Sequence, residues 1–150
     1  MIKAIDVKEN ETAKKVVDLQ KGSYTIEANI IGYYEIPPLK DTIASIRQCN
    51  EQFFGYYCDN ILVGMISYHI EGNCIDICRV AVDPDYFRQG IARSLLLFVE
   101  ETNKNIKKLL VSTGLKNSPA ISLYTRYGFK QIELIESPEG IDLAVFEKFL

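Results

Sequence analysis

Residues 82–96 read VDPDYFRQGIARSLL, and this stretch decides how the rest of the chain is interpreted. An apolar strand is stopped by Asp83-Pro84, a short loop containing Gly90 follows, and an amphipathic helix then begins. The first turn of a helix has backbone N–H groups without helical partners, and the helix dipole adds positive charge there. Such a place favours an anion. Pyrophosphate is the natural candidate, because it is charged and its oxygens accept hydrogen bonds.

Size and charge exclude several classes of protein. The chain has 150 residues, the length of one domain, and we expect that domain to span residues 1–150. The net charge of −3, from 17 basic and 20 acidic residues without a basic run, argues against nucleic acid and weakly favours a cationic or neutral acceptor. No segment has the length of a membrane span or the apolar run of a signal peptide, so we expect a cytoplasmic protein without membrane contact. The four cysteines show no CxxC spacing, which favours reduced packing residues over disulfides or a metal site.

The hydrophobic periodicity predicts an α+β fold. A helix begins at Asn10 and continues or restarts up to Gly32, and Asp41 or Thr42 caps a second, short helix. Short turns make the next three strands antiparallel neighbours, whereas the third helix crosses over between two parallel strands. We expect a mixed, mostly antiparallel central sheet of about seven strands flanked by about four helices. The predicted strands are residues 2–6, 53–58, 61–70, 74–82, 108–113, 129–135 and 141–149, the last two separated by a turn at 137–140, and the fourth helix is residues 119–127.

Three motifs occur in the order and spacing of one known family. Residues 77–84 (ICRVAVDP) look like its fourth strand, residues 88–92 (RQGIA) like its pyrophosphate loop, and residues 117–129 (NSPAISLYTRYGF) like its N-x-x-A-x-x-L-Y-x-x-x-G-F helix. On these motifs the chain resembles the GNAT acetyltransferase superfamily. The resemblance implies an N-acetyltransferase that transfers an acetyl group from acetyl-CoA to a primary amine by direct attack in a ternary complex. One position departs from the pattern, since Phe87 stands where the loop normally has Gln or Arg.

The resemblance also implies where acetyl-CoA binds. The pyrophosphate lies on the N–H groups of the loop and of the helix start. The fourth strand splays from the fifth, so that its free backbone groups pair with the pantetheine arm. Asn117 is well suited to be a helix N-cap and, by resemblance, also contacts pantetheine. The implied cofactor-binding residues are Val80, Ala81, Val82, Phe87, Arg88, Gln89, Gly90, Ile91, Ala92, Arg93, Asn117 and Tyr124.

The chemistry is expected to rest on Tyr124 and on an acidic residue. In the family this tyrosine protonates the departing thiolate, although Tyr124 also fits an aromatic on the inner face of its helix. An amine must lose a proton before it attacks, so a general base is expected. Asp76 lies on the fourth strand near where many relatives place an acid, Glu27 and Glu35 are further candidates, and deprotonation through water is also open. Ser112 stands where relatives that acetylate protein N-termini often have glutamate, which disfavours that substrate class.

The acceptor pocket is expected where the segment of residues 24–39 overhangs the sheet. Its candidate substrate-binding residues are Glu27, Tyr33, Tyr34 and Glu35. The acceptor is a small-molecule or peptide amine of open identity, and both monomer and homodimer are open. The alternative function is a non-catalytic acyl-CoA-binding module. A nucleotide-binding α/β protein is disfavoured, because the chain lacks G-x-G-x-x-G and G-x-x-x-x-G-K-[ST].

Overall fold

The computed structural model describes residues 1–136 and 141–150, so the predicted turn at 137–140 lies outside the described residues. Within the described residues the chain forms seven strands and four α-helices, which confirms the predicted fold. The strands are β1 (Ile2–Ala4), β2 (Gln52–Cys58), β3 (Ile61–Glu71), β4 (Cys74–Val82), β5 (Lys108–Gly114), β6 (Lys130–Ile135) and β7 (Leu143–Phe149). The helices are α1 (Asn10–Ile31), α2 (Ile43–Gln48), α3 (Ile91–Thr102) and α4 (Ser118–Arg126).

The first helix, α1, is continuous. It runs for 22 residues and ends at Gly32, whose φ of 73° is the left-handed C-cap conformation that glycine adopts easily. The Pro37-Pro38 pair then starts a 3-10 turn instead of an α-helix. Thr42 is the N-cap of α2, because its side chain accepts the N–H of Ser45 in a reciprocal capping box. The unbroken length of α1 carries its C-terminal half across β4.

The sheet has the strand order β1-β2-β3-β4-β5-β7-β6, and every neighbouring pair is antiparallel except β4 and β5. These two strands are joined by α3, which is the crossover that a parallel pair requires. Their pairing links residues 74–77 with residues 108–111 and then stops. The rest of β4 pairs with β3 alone, so the sheet is splayed at this point.

A β-bulge in β4 sets which side chains face α1. Ser67 pairs with Arg79, and the next residue of β3, Tyr68, pairs with Ile77, so Cys78 is the extra residue. Uninterrupted alternation would place Arg79 on the same face as Ile77. The bulge instead turns Arg79 toward α1, to which it donates a hydrogen bond.

Apolar cores cover both faces of the sheet. On one face, Leu95 and Val99 of α3 are fully buried against strand residues such as Ile66. On the other face, Val16 of α1 is fully buried in a cluster that includes Met65. The splay between β4 and β5 therefore lies between two packed layers, with α1 on one side and the N-terminal ends of α3 and α4 on the other.

Candidate functional site

An open cavity of about 1180 Å³ lies where β4 and β5 diverge. Its walls come from α1, from β4 and β5, and from the start of α3 and α4. Sites for small ligands usually have roughly 300–1,000 Å³, so this cavity has room for a long ligand together with a second molecule.

The end of the cavity at α3 has the donors that an anion requires. Gly90 is the N-cap of α3 with a φ of 76°, and no side chain caps the first helical turn. A Cβ atom built on Gly90 would have no atom within 4 Å, so the positive φ favours glycine while the space beside it stays open to a ligand. Arg88 and Arg93, two of the four arginines in the cavity wall, lie within three residues of Gly90 in the chain. This set of backbone N–H groups and guanidinium groups fits a pyrophosphate.

The structure brings ten of the twelve predicted cofactor-binding residues to the cavity. The two exceptions are Gln89, which does not line it, and Ala81, which is 1% exposed in the core beneath α1. Ala81 faces α1 because the bulge in β4 reverses the alternation before it. The ten residues in the cavity wall are Val80, Val82, Phe87, Arg88, Gly90, Ile91, Ala92, Arg93, Asn117 and Tyr124.

The backbone of β4 is less free than the family resemblance implies. The N–H of Val80 donates to the Tyr24 hydroxyl at 3.1 Å, and the N–H of Val82 donates to Ser23 Oγ at 3.2 Å. A backbone N–H inside a protein needs an acceptor, and α1 supplies two hydroxyls where β5 has diverged. The expectation of free N–H groups on β4 is corrected accordingly. A pantetheine arm pairing with these groups has to replace the two hydroxyls.

A partly buried carboxylate lies deeper in the cavity. Oε1 of Glu27 accepts hydrogen bonds from Asn117 Nδ2 at 2.5 Å and from Thr113 Oγ1 at 3.4 Å. Oδ1 of Asn117 accepts the N–H of Ala120 at 3.3 Å, which confirms Asn117 as the N-cap of α4. Burial raises the pKa of Glu27, even though the two hydrogen bonds act to lower it. A carboxyl group with a raised pKa is a better proton acceptor than an exposed one.

Tyr124 shares this deep part of the cavity with Glu27. Its ring packs against Phe129 and Phe146 at centroid distances of 5.6 and 6.0 Å, and the residue is 5% exposed. Burial and the nearby Glu27 raise the pKa of Tyr124, so its hydroxyl stays protonated. The ring is thus an inner-face aromatic of α4, and the same residue lines the cavity. A protonated hydroxyl here is able to donate a proton to a ligand.

Four of the predicted catalytic and acceptor-binding residues do not line the cavity. Asp76 lies in the part of β4 that still pairs with β5, and its carboxylate is 3.6 Å from Nε2 of His69 at the surface. Tyr33, Tyr34 and Glu35 follow the C-cap of α1 and are absent from the cavity wall. The unbroken length of α1 places residue 27 over the splay, whereas the chain leaves the cavity wall at residues 32–35 and returns to it at Ile36.

An ion-pair cluster in the cavity wall was not predicted. Arg79 donates to Glu51 Oε1 at 2.9 Å, to Gln20 Oε1 at 2.8 Å and to the Asp41 carboxylate. Burial alone would lower the pKa of Arg79, but its hydrogen bonds and ion pairs with Glu51 and Asp41 raise it, so the guanidinium stays charged. The signal in the sequence was a single charged residue in the apolar run of residues 77–82.

Residues 1–136 and 141–150 contain no group of three or more His, Cys, Asp or Glu side chains arranged to hold a metal ion. In the same residues, no helix has both the length and the apolar character needed to cross a bilayer.

Comparisons with known proteins point to one family. The model of the acetyltransferase (GNAT) family matches residues 13–129. UPF0157 protein YqkA of Bacillus subtilis (strain 168) is 38% identical over 149 residues, which are 99% of this chain and 43% of that protein. This chain therefore spans less than half of that relative.

A second relative and a solved structure agree with the family match. Spermidine N(1)-acetyltransferase of Thermoplasma acidophilum is 27% identical over 113 residues, which cover 74% of this chain and 68% of that protein. The crystal structure of PaiA N-acetyltransferase from Thermoplasma acidophilum in complex with coenzyme A has a TM-score of 0.76 at 20% identity, and the match covers 100% of this chain and 99% of that one. This likeness shows the shared fold.

Proposed function

This chain belongs to the GNAT acetyltransferase family, whose co-substrate is acetyl-CoA, and on that premise we propose that it is an N-acetyltransferase. It transfers the acetyl group from acetyl-CoA to the primary amine of a small molecule or peptide. The observation that carries this proposal is one cavity that has, at one end, a helix N-terminus without a side-chain cap and, at the other, a partly buried carboxylate near a tyrosine. A cofactor with a charged pyrophosphate and a reactive thioester needs both ends.

In the proposed binding mode, acetyl-CoA extends from the start of α3 along β4. The pyrophosphate accepts hydrogen bonds from the N–H groups of residues 88–93, and the pantetheine arm runs along residues 80–82 of β4. The open space beside Gly90 supports the first contact. The second contact requires the N–H groups of Val80 and Val82 to exchange the two hydroxyls of α1 for acceptors on pantetheine.

We assign the chemistry to Glu27 and Tyr124. Glu27 takes a proton from the ammonium of the acceptor, and the neutral nitrogen attacks the thioester carbonyl carbon. A backbone N–H of β4 stabilises the negative charge that develops on the carbonyl oxygen. The C–S bond then breaks, Tyr124 donates its proton to the departing thiolate, and the second proton that the nitrogen loses on becoming an amide restores the Tyr124 hydroxyl. Glu27 is preferred to Asp76 as the base, because only Glu27 lines the cavity.

We also propose a cytoplasmic location. Cys49, Cys58, Cys74 and Cys78 are all free thiols in the structure. The reducing conditions of the cytoplasm keep thiols in this state, whereas oxidising compartments favour disulfides.

Calorimetric titration with acetyl-CoA tests the binding site, and Gly90→Glu is the decisive variant. We expect micromolar binding to the wild type and a loss of about 100-fold in Gly90→Glu, because a carboxylate then occupies the anion site. Gly72→Glu is the matched control: Gly72 also has a positive φ (62°) and open space within 4 Å, but it lies in the turn between β3 and β4.

The outcomes separate the candidate functions. If Gly90→Glu and Gly72→Glu reduce the affinity for acetyl-CoA equally, the loss is a general effect of strain and charge. The assignment of the anion site to Gly90 would then be wrong. Release of CoA thiol that depends on an added amine supports the transferase. Tight acetyl-CoA binding without transfer to any amine would support the non-catalytic acyl-CoA-binding module instead.

A further inference from the structure

The acceptor side of the cavity is apolar. Isoleucines of α1 and the start of β7 form this wall, together with the residues that enter the 3-10 turn after α1. Ile30 and Leu143 are 42% and 36% exposed, so their side chains present hydrocarbon to whatever enters. The wall consists of Ile26, Ile30, Ile31, Ile36, Pro37 and Leu143.

Three carboxylates belong to the cavity wall, but two of them already have a cationic partner. Asp41 and Glu51 share the one cation Arg79, so this cluster keeps a net charge of −1, but the two side chains are only 15% and 17% exposed. Glu27 is held instead by the neutral side chains of Asn117 and Thr113. In the described part of the wall, therefore, Glu27 is the single carboxylate without a cationic partner, and we take it as the group that binds an ammonium.

The geometry of α1 sets the distance from this carboxylate to the apolar wall. Ile30 and Ile31 follow Glu27 by three and four residues, which is one helical turn, or roughly 5.4 Å along the axis. When the nitrogen of an acceptor binds Glu27, the chain of about four carbon atoms attached to it lies beside these isoleucines. A second ammonium at that level would lose water without gaining a counter-charge, which is costly.

We propose that the acceptor is a monoamine carried on an apolar chain or ring, and that polyamines are poor substrates. This inference rests on the proposed N-acetyltransferase function and narrows its substrate class. It separates this chain from the relative named for spermidine, an acceptor with several ammonium groups.

The direct test compares n-butylamine with 1,4-diaminobutane, which differ by one terminal ammonium. CoA thiol release measures kcat/KM for each at saturating acetyl-CoA. We expect the monoamine to be preferred by about tenfold or more, with the difference mainly in KM, because the second ammonium weakens binding. Equal turnover, or a preference for the diamine, would overturn the proposal.

The variant Ile30→Glu tests the cause. It places a carboxylate one helical turn beyond Glu27, where it can pair with the second ammonium of the diamine. We therefore expect the ratio of kcat/KM for n-butylamine to that for 1,4-diaminobutane to fall to about one or below. Ile132→Glu on the edge strand β6 is the control, because Ile132 is similarly exposed at 48% and lies outside the cavity. A preference that Ile30→Glu leaves unchanged, or that Ile132→Glu changes equally, would contradict the assigned wall.

The two proposals fail in different ways. If amines are acetylated but the diamine is preferred, the monoamine proposal is wrong and the transferase stands. If acetyl-CoA binds and no amine is acetylated, the transferase proposal is wrong, and the acceptor proposal falls with it.

Discussion

The two ends of the cavity are built in different ways. The end proposed to bind the cofactor (the cofactor end) comes from one continuous stretch, residues 82–96, and its proposed donors are backbone N–H groups next to Gly90, whose φ is positive. The end proposed to carry the chemistry (the reacting end) joins side chains from three separate elements, and Glu27 and Asn117, which contact each other, are 90 residues apart in the chain. Backbone donors survive most side-chain substitutions, whereas a cluster of side chains depends on each member. Substitutions at the reacting end should therefore reduce activity more than substitutions of cofactor-end side chains.

The largest effect is expected for Glu27→Gln. Glutamine keeps the size of the side chain and accepts the same hydrogen bonds from Asn117 and Thr113, but it cannot take a proton. We expect kcat to fall by about 10²–10⁴, the range for loss of a general base, with little change in acetyl-CoA affinity. Steady-state kinetics and calorimetry measure the two effects. Glu35→Gln is the matched control, since Glu35 lies outside the cavity and pairs with Lys40.

The pH dependence sharpens this test. Burial raises the pKa of Glu27 above the usual glutamate value of about 4.3. As the pH falls, its carboxylate is therefore protonated earlier than that of an ordinary glutamate. The base works only when deprotonated. The ratio of kcat/KM between wild type and Glu27→Gln should therefore rise with pH and level off above the raised pKa. A ratio that stays constant across the acidic and neutral range would remove Glu27 as the base.

A smaller loss is expected for Tyr124→Phe. The ring and its contacts with Phe129 and Phe146 remain, and only the hydroxyl is lost. We expect kcat to fall by about 10- to 1000-fold, because a thiol with a pKa near 8.5 leaves with less need for protonation than an amine would. Acetyl-CoA affinity should be retained. Tyr34→Phe, at an exposed position outside the cavity, is the control, and unchanged turnover in Tyr124→Phe would exclude Tyr124 from the mechanism.

The smallest effect is expected at the cofactor end, for Arg93→Ala. The guanidinium of Arg93 lies over the Tyr127 ring at 5.2 Å and lines the cavity, but the backbone N–H groups of α3 are unchanged by this substitution. We expect acetyl-CoA affinity to fall by about two- to fivefold with kcat unchanged, in keeping with the small energy of an exposed charge pair. A loss above about 100-fold would show that side-chain charge, and not the backbone, carries the binding.

Several features of the fold and site were predicted from residues close together in the chain. The strand that stops at Asp83-Pro84, the helix that starts after Gly90 and the N-cap at Asn117 all appear in the structure. Each depends on a few neighbouring residues, because a cap or a turn is closed by hydrogen bonds over three or four positions. Such rules locate a helix start only to within about one residue: they left Asp41 and Thr42 both open as the cap of α2, and the structure has Thr42.

Other features required the three-dimensional structure. The bulge at Cys78 follows from the register of β4 against β3, and a period of two cannot show where an extra residue is inserted. The bulge turns Arg79 toward α1 and its acidic partners. The hydroxyl partners of Val80 and Val82 were missed for a similar reason, since they come from α1, on the far side of the splay.

Along the chain, local chemistry was enough to predict the order of elements, the helix starts and the glycine at the start of α3. Packing alone selected which of the three candidate bases lines the cavity: Glu27 and not Asp76 or Glu35. The physical reason is the range of the interactions. Caps, turns and alternation act over a few residues, whereas the meeting of Glu27 with Asn117 depends on two cores that hold α1 and α4 on either side of a splayed sheet.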